Sequence, residues 1–161
     1  MQRLTLLLAA LALAGCAAPW NSLGLAAGSS REQVLASAGQ PTRVVPLPGG
    51  GERLQYSLQP MGRYAYMFDL DAAGRLVRAR QVLTAEEFGR IQPGTWSQGD
   101  VEREFGPPAH MHGVASWVGP VMTYRWSDGS DMSYWVYLDP QGIVRRAHPG
   151  MDFVNAPNER K

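Results

Sequence analysis

Residues 33–74 read QVLASAGQPTRVVPLPGGGERLQYSLQPMGRYAYMFDLDAAG, and most landmarks of this stretch occur a second time later in the chain. In order, the landmarks are Val34, Gly39, Pro41, Tyr56, Asp71 and Gly74. Their counterparts are Val101, Gly106, Pro108, Tyr124, Asp139 and Gly142. The first three counterparts lie 67 residues further on and the last three lie 68 residues further on, so a single inserted residue reconciles the two series. This internal repeat predicts two tandem copies of one structural unit.

Each copy carries the start and stop signals of a helix. Ser29 or Ser30 precedes residues 31–38, and a glycine and a proline follow them. Ser97, residues 98–105 and Gly106 repeat the pattern. A hydroxyl at the N-cap with a glycine just past the last turn is typical of helix ends.

A shorter helix is expected ahead of each of these two. In the first copy it lies near residues 21–25. In the second copy, Thr84 and Glu87 form a capping-box pattern that opens a helix ending near Ile91. Each unit is therefore predicted to begin with two short helices.

Strand patterns separated by turn residues follow the helices in both copies. The expected strands are 43–47, 53–58, 64–70 and 75–82, then 110–114, 122–127, 132–138 and 143–147. Runs of strand beside runs of helix favour an α+β fold. We predict two tandem α-α-β-meander repeats, with the helices packed on one face of antiparallel sheet.

Side-chain alternation along these strands separates a core face from an outer face. Residues 64, 66, 68 and 70 and their counterparts 132, 134, 136 and 138 are apolar or aromatic, so this face is expected to be the core. The outer face is expected to hold Gln55, Ser57, Met67 and Asp69, with Thr123, Arg125, Trp135 and Tyr137 at the counterpart positions. Trp135, Tyr137 and Arg125 are thus predicted to share one face of the second sheet.

The chain opens with a processing signal. A basic residue at Arg3, an apolar run too short to span a bilayer and small residues before Cys16 have the order of a cleaved leader. Residues 13–16, Leu-Ala-Gly-Cys, resemble the lipobox of bacterial lipoproteins, in which the peptidase cuts before a diacylated cysteine. The alternative is an ordinary secretory leader with an incidental cysteine.

The lipobox resemblance implies a membrane-tethered chain. Cys16 is the only cysteine, so acylation gives it a use that an internal disulfide cannot. Ala17 follows it in place of Asp, which by resemblance to sorted lipoproteins implies the periplasmic leaflet of the outer membrane. The expected divisions are a leader at 1–15, a lipid-anchored tether at 16–27, repeats at 28–83 and 84–154, and a flexible tail at 155–161.

Composition argues against a nucleic-acid partner. The formal net charge is +1, and it falls to zero when the leader with Arg3 is removed. Neither a basic patch for nucleic acid nor one for anionic lipid is visible. We expect no nucleic-acid binding and attachment to the membrane through the lipid alone.

No cofactor, catalytic group or metal site is predicted. No serine stands in a nucleophile-elbow motif, and the glycine runs lack the lysine of a phosphate loop. His110 and His112 lie on one face of a strand, but zinc takes three or four ligands and His148 is distant in sequence. The segment 128–131 fits a hairpin turn better than a calcium loop.

The order of motifs resembles the SmpA/OmlA domain, the BamE-like fold of outer-membrane lipoproteins. The motifs are a helix with Val34, then Gly39 and Pro41, a strand with Tyr56, and an aromatic strand that ends in Asp71. Two such units in tandem are also similar to the β-lactamase-inhibitor proteins. The resemblance implies non-catalytic work, either as a scaffold in β-barrel assembly or envelope integrity or as an inhibitor of a periplasmic hydrolase. The BamE-like lipoproteins have one unit, whereas this chain has two.

The outer aromatic residues are the candidate surface for a protein partner. Trp, Tyr and Arg are the residue types that most often carry binding energy. The candidates are Trp135, Tyr137, Arg125, Met67 and, in the loop before the sixth strand, Trp117. The alternative is that Trp135 and Tyr137 are covered by a neighbouring strand, loop or helix. A metal-binding protein is the remaining alternative.

Overall fold

The computed structural model describes residues 17–152, so the predicted leader, Cys16 and the predicted tail at 155–161 lie outside the described residues. A 3₁₀ helix at Pro19–Ser22 comes first. The α-helices are α1 (Arg31–Ala38), α2 (Ala85–Phe88) and α3 (Gln98–Phe105). The strands are β1 (Arg43–Pro46), β2 (Glu52–Ser57), β3 (Ala65–Leu70), β4 (Leu76–Gln81), β5 (His110–His112), β6 (Val121–Ser127), β7 (Asp131–Leu138) and β8 (Val144–Met151).

The strands form two separate antiparallel sheets of four strands each. The first sheet has the order β1-β2-β3-β4 and the second has the order β5-β6-β7-β8. The register shifts between Asp69 and Leu70 in the first sheet and between Tyr137 and Leu138 in the second. This mixed architecture, with few helices and two meandering sheets, is compatible with the predicted α+β class.

Two capping boxes fix the starts of α1 and α3. The Ser30 hydroxyl accepts a hydrogen bond from the backbone N–H of Gln33 at 3.3 Å, and the Gln33 side chain accepts from the Ser30 N–H at 2.7 Å. Ser97 and Asp100 make the same reciprocal pair at 3.2 and 2.8 Å. Hydrogen bonds from the Ser97 hydroxyl and N–H lower the pKa of the Asp100 carboxyl. These contacts satisfy N–H groups that the first helical turn leaves free.

Tyrosines tie the second strand of each sheet to the end of a helix. The Tyr56 hydroxyl donates to the carbonyl oxygen of Gly39 at 2.8 Å, and the Tyr124 hydroxyl donates to that of Gly106 at 2.8 Å. Both glycines have a positive φ, +82° and +80°, which residues with a Cβ rarely adopt. Burial raises the pKa of Tyr56 to about 12 and raises that of Tyr124 well above its ordinary value.

Aspartates close the turn between the last two strands of each sheet. The Asp71 carboxylate accepts from the backbone N–H groups two and four residues further on, both at 2.9 Å. Asp139 accepts from the equivalent groups at 3.0 and 2.9 Å. The N–H of Ile143 is the main cause of the lowered pKa of Asp139, and Arg145 adds to it. The same type of turn thus joins the last two strands of both sheets.

The core consists of two clusters. The smaller one joins α1 to the first sheet through Val34, Ala38, Leu54, Tyr56, Tyr66, Phe68, Leu70 and Leu76. The larger one joins α2 and α3 to the second sheet and includes Phe88, Val101, Phe105, Met122, Tyr124, Trp126, Tyr134, Val136 and Leu138. Within the larger cluster, the Phe88 ring stacks on the Tyr134 ring, with centroids 4.0 Å apart.

The predicted placement of the helices on one face of sheet is wrong for the first sheet. Ala65 and Met67, from the face opposite α1, belong to the same buried cluster as Phe88 and Phe105. The first sheet therefore has α1 on one face and the α2–α3 segment on the other. Tyr64 also departs from its predicted core position, since 44% of it is exposed.

The segment predicted to be a tether packs against α1 where it is described. The backbone N–H of Ala18 donates to the Ser37 carbonyl at 3.0 Å. The buried Ser22 hydroxyl lies 2.7 Å from that of Ser37. The expected first helix near residues 21–25 is the 3₁₀ helix at Pro19–Ser22, two residues earlier.

Candidate functional site

Each sheet has an outer face, made of side chains that alternate with the core tyrosine of its second strand. The first outer face contains the cross-strand rows Arg43, Gln55, Met67, Arg80 and Val45, Arg53, Asp69, Arg78. The second outer face contains the rows His110, Thr123, Trp135, His148 and His112, Val121, Tyr137, Arg146, with Arg125, Ser133 and Gly150 beyond them. The two faces match row by row at the 67- and 68-residue offsets of the sequence repeat.

The first outer face is covered by α3, which the sequence analysis did not predict. Met67 is fully buried, so its proposed role as a surface contact for a partner is wrong. Gln55 is also fully buried, and its side-chain amide donates to the carbonyl oxygens of Glu102 at 2.9 Å and Arg103 at 3.0 Å. Arg53 donates to the same Arg103 carbonyl at 2.9 Å. The Glu102 carbonyl also accepts from the Gly106 N–H at 2.9 Å, whereas the Arg103 carbonyl lies four residues before Pro107 and has no N–H donor there.

Opposite charges meet across this covered face. Arg43 pairs with Glu102 at 3.0 Å, and Arg80 pairs with Glu104 at 3.3 Å and with Glu87 at 3.4 Å. Burial, followed by the charge of Arg53, lowers the pKa of Arg80. The first outer face is thus a basic surface filled by the acidic α2–α3 segment.

The second outer face is open. It forms a groove with a volume of about 640 Å³, lined by His110, Met111, His112, Thr123, Arg125, Ser133, Trp135, Met151 and Asp152. Trp135 is partly buried, and its ring lies over Gly150, where a Cβ would stand 2.7 Å from the Trp135 Cη2. Gly150 therefore lets the indole lie flat along β8.

An aromatic group continues from Trp135 along this face. The His148 ring lies 5.5 Å from the Trp135 ring and 5.4 Å from the Tyr137 ring, measured between centroids. Arg146 places its guanidinium carbon 3.9 Å from the centre of the Tyr137 ring. Trp117 packs against Tyr137 at 5.4 Å, and its N–H donates to the Leu138 carbonyl at 2.7 Å.

Arg125 lies at the other end of the groove. Its guanidinium pairs with Asp152 at 3.0 Å and donates to the Pro60 carbonyl at 3.2 Å. The Gln59 side-chain oxygen accepts from the backbone N–H of Arg125 at 3.0 Å, and the Gln59 amide donates to the Arg125 carbonyl at 2.7 Å. β5 begins at His110, opposite Thr123, and does not reach Arg125. Gln59 therefore takes the place of a strand partner at this part of the β6 edge.

The structure brings together four of the five candidate binding residues. Trp135, Tyr137, Trp117 and Arg125 all lie on or beside the second outer face, and Trp135 and Tyr137 remain partly exposed. Sequence reasoning missed His148 and Arg146. The aligned register of β7 and β8 was the available signal, because it pairs Trp135 with His148 and Tyr137 with Arg146.

The two histidines of β5 stand on the rim of the groove. Both are exposed, and the Nδ1 atom of His112 lies 3.5 Å from the Thr123 hydroxyl. His148 shares a row with His110 but is three strands away, which places it about 14 Å off at ordinary strand spacing. Within residues 17–152, no group of three or more metal-ligating side chains comes together. Over the same residues, no helix has the length and apolar character needed to cross a membrane.

No family model matches the chain, and no curated protein matches it. Among solved structures, it is similar to a DUF4309 family protein, YjgB, from Bacillus subtilis subsp. subtilis str. 168, with 16% identity and a TM-score of 0.33 over 77% of this chain and 79% of that one. It is also similar to an extracellular protein containing an SCP domain from Bacillus anthracis str. Ames, with 17% identity and a TM-score of 0.29. That match covers 78% of this chain and 43% of the other. Similarity at this level assigns the chain to no family.

Proposed function

We propose that this protein is a non-catalytic lipoprotein, anchored in the periplasmic leaflet of the bacterial outer membrane, that binds a protein partner through the second outer face. One observation carries the proposal. The first outer face is filled by a helical segment of the same chain, whereas the matching face of the second sheet is an open groove beside Trp135 and Tyr137.

The residue types on the second outer face support a protein partner. Trp135, Tyr137 and Arg125 belong to the types that most often dominate binding energy at interfaces. The rings of Trp135 and Tyr137 are already held in place by His148, Arg146 and Gly150, so little side-chain freedom is lost when a partner covers them. A preorganised aromatic surface of this kind suits a specific partner better than a transient, nonspecific contact.

We further propose that the fold is a tandem pair of BamE-like units, each an α-α-β meander. The matched capping boxes, the matched bonds from Tyr56 and Tyr124 to glycine carbonyls, and the matched turns at Asp71 and Asp139 support this division. The 3₁₀ helix at Pro19–Ser22 stands in the first unit where α2 stands in the second. A role in β-barrel assembly or envelope integrity follows from the resemblance of these units.

Crosslinking in intact cells followed by mass spectrometry tests the proposal. The lipidated protein is compared with a Trp135→Ala/Tyr137→Ala variant and with Trp20→Ala, a matched control that removes a 53% exposed tryptophan far along the chain from the groove. We expect the wild type and Trp20→Ala to capture the same protein, and the double variant to lose it.

Stability has to be measured on the same variants. If the double variant unfolds, then Trp135 and Tyr137 are core residues and the binding proposal fails. If it stays folded and captures the same partner as the wild type, the second outer face is not the binding surface. Capture of a periplasmic hydrolase that the purified protein inhibits would favour the inhibitor alternative.

A further inference from the structure

The first outer face shows what such a face can bind, because it is covered by the α2–α3 segment of the same chain. On the first outer face, one row of four residues contacts the α2–α3 segment along its whole length, and Arg53 of the neighbouring row adds bonds to the Arg103 carbonyl and to Glu104. The row is Arg43, Gln55, Met67 and Arg80. Its match on the second outer face is His110, Thr123, Trp135 and His148.

Each member of the first row has a distinct task at the end of α3. The Gln55 amide donates to two carbonyl oxygens of the last helical turn, at 2.9 and 3.0 Å. Met67 lies beneath the glycine that ends the helix, and its Cε would be 3.5 Å from a Cβ at Gly106. Arg43 and Arg80 flank the helix and pair with Glu102 and Glu104 at 3.0 and 3.3 Å.

The second row places other side chains at the same four positions. The Thr123 hydroxyl takes the place of the Gln55 amide as the central donor. Trp135 takes the place of Met67 as the apolar seat and is larger. His110 and His148 take the two flanking positions, and their rings can donate hydrogen bonds or carry positive charge.

Both outer faces have more arginines than carboxylates, although the excess is smaller on the second. The first outer face has four arginines against Asp69, and it contacts three glutamates: Glu87, Glu102 and Glu104. The second outer face has Arg125 and Arg146 against Asp152, together with three histidines. Donors and positive charge favour a ligand with negative charge, and the C-terminus of a helix supplies a partial negative charge of its own.

A second copy of this chain does not fit the second outer face. Its α1 would be the counterpart of α3, but residues 17–22 already lie on α1, with Ala17 3.6 Å from a Cβ built at Gly39. Leu35 and Ser37 also stand where α3 has Glu102 and Glu104, so α1 lacks the acidic groups. The N-terminal segment at residues 17–22 therefore covers the part of α1 that would have to contact the second outer face of another copy.

We propose that the second outer face binds the C-terminal turn of an acidic helix in another protein, seated on Trp135 with its end carbonyls toward Thr123 and its carboxylates toward the histidines and arginines. This deepens the proposed function and rests on it, because it names the chemistry of the partner at the same surface.

Site-specific photo-crosslinking in cells tests the inference. A benzophenone amino acid is placed at Met111, which is 45% exposed on the rim of the groove, and in a control at Val77, which is 61% exposed on β4. The crosslinked peptide of the partner is identified by mass spectrometry. We expect it to come from the last two turns of a helix with an excess of Asp and Glu. Charge reversal of those acidic residues is expected to lower the crosslink yield at least about tenfold, equivalent to about 1.4 kcal/mol.

The outcomes separate this inference from the proposed function. A peptide from a strand, a loop or a basic segment, or a yield that charge reversal leaves unchanged, overturns the acidic-helix inference and leaves the binding face in place. Crosslinks between two copies of the chain overturn it as well. If no protein is crosslinked from Met111 above the Val77 control, both proposals are overturned.

Discussion

The guanidinium of Arg53 holds the carboxylate of Asp69 at two points, Nε to Oδ1 at 2.5 Å and Nη2 to Oδ2 at 3.0 Å, on a face of the first sheet that the sequence pattern assigns to solvent. Only 5% of the Arg53 side chain is exposed, and its third nitrogen bonds Glu104 at 3.1 Å and the Arg103 carbonyl at 2.9 Å. A bidentate pair of this kind fixes orientation as well as distance. Arg53 therefore joins the first sheet to the end of α3.

Arg53→Ala is expected to lower the free energy of unfolding by about 3–5 kcal/mol, because it removes the bidentate partner of Asp69, which keeps only Arg80 at 4.0 Å, together with the donor to the Arg103 carbonyl. Urea denaturation followed by circular dichroism measures the change. Arg78→Ala is the matched control, since Arg78 lies in the same row but its side chain is 58% exposed. Its loss should cost about 0–1 kcal/mol. Equal small effects of the two substitutions would show that α3 does not pack on this face.

The two tyrosine contacts give a test of the tandem arrangement. Tyr56→Phe and Tyr124→Phe each remove a 2.8 Å hydrogen bond to a glycine carbonyl, and each is expected to cost about 0.5–1.5 kcal/mol of stability. The cost should be larger for Tyr124, which is fully buried. Tyr64→Phe, at a residue 44% exposed, serves as the control in the same urea titrations. A loss at only one of the two positions would contradict equivalent units.

Acid pH should weaken the fold through Asp100 and Asp139. Both carboxyls have a pKa below the ordinary 3.8, because backbone and hydroxyl donors stabilise the charged form. The folded state therefore binds fewer protons than the unfolded state. The stabilisation is present above the unfolded pKa and is lost as pH falls through the lower, folded value.

We expect the urea midpoint to fall as pH is lowered from about 5 to about 2, and Asp139→Asn to show a shallower fall than the wild type. Asp128→Asn, at an exposed hairpin turn, is the control and should follow the wild-type curve. A wild-type midpoint that does not change over this range would contradict the assigned carboxylate contacts.

Local signals predicted the secondary structure well. Ser30 and Ser97 cap the helices that their positions indicate, and the turns at Asp71 and Asp139 lie where the repeat places them. Such features depend on contacts between residues two to four apart, so a short stretch of sequence contains the whole interaction.

The covering of the first outer face by α3 could not be predicted in this way. Gln55, Arg53 and Asp69 are polar and alternate with core residues, a pattern typical of a face exposed to solvent. They are instead covered by α3, because carbonyls of its last turn and its glutamates pair with Gln55 and Arg53 over sequence separations of about 50 residues. For the same reason Met67 was predicted at the surface, while its counterpart Trp135 does lie on an open groove.

The proposed lipid anchor predicts a simple fractionation result. Cys16→Ser should remove the protein from the outer-membrane fraction, because loss of the thiol removes the site of acylation and with it the cleavage that depends on acylation. Ala17→Asp is the matched control, which should keep the protein on membranes but shift it away from the outer membrane. Recovery of Cys16→Ser in the outer-membrane fraction would contradict lipidation at this residue.

The central claim is that the second outer face binds a protein, and the affinity of the purified partner captured in cells tests it most directly. Isothermal titration calorimetry compares the wild type, Trp135→Ala and Trp20→Ala. The account predicts a Kd at least about 30-fold weaker for Trp135→Ala, the loss of about 2 kcal/mol expected of a central aromatic contact, and no change for Trp20→Ala. An unchanged Kd for a folded Trp135→Ala variant would contradict it.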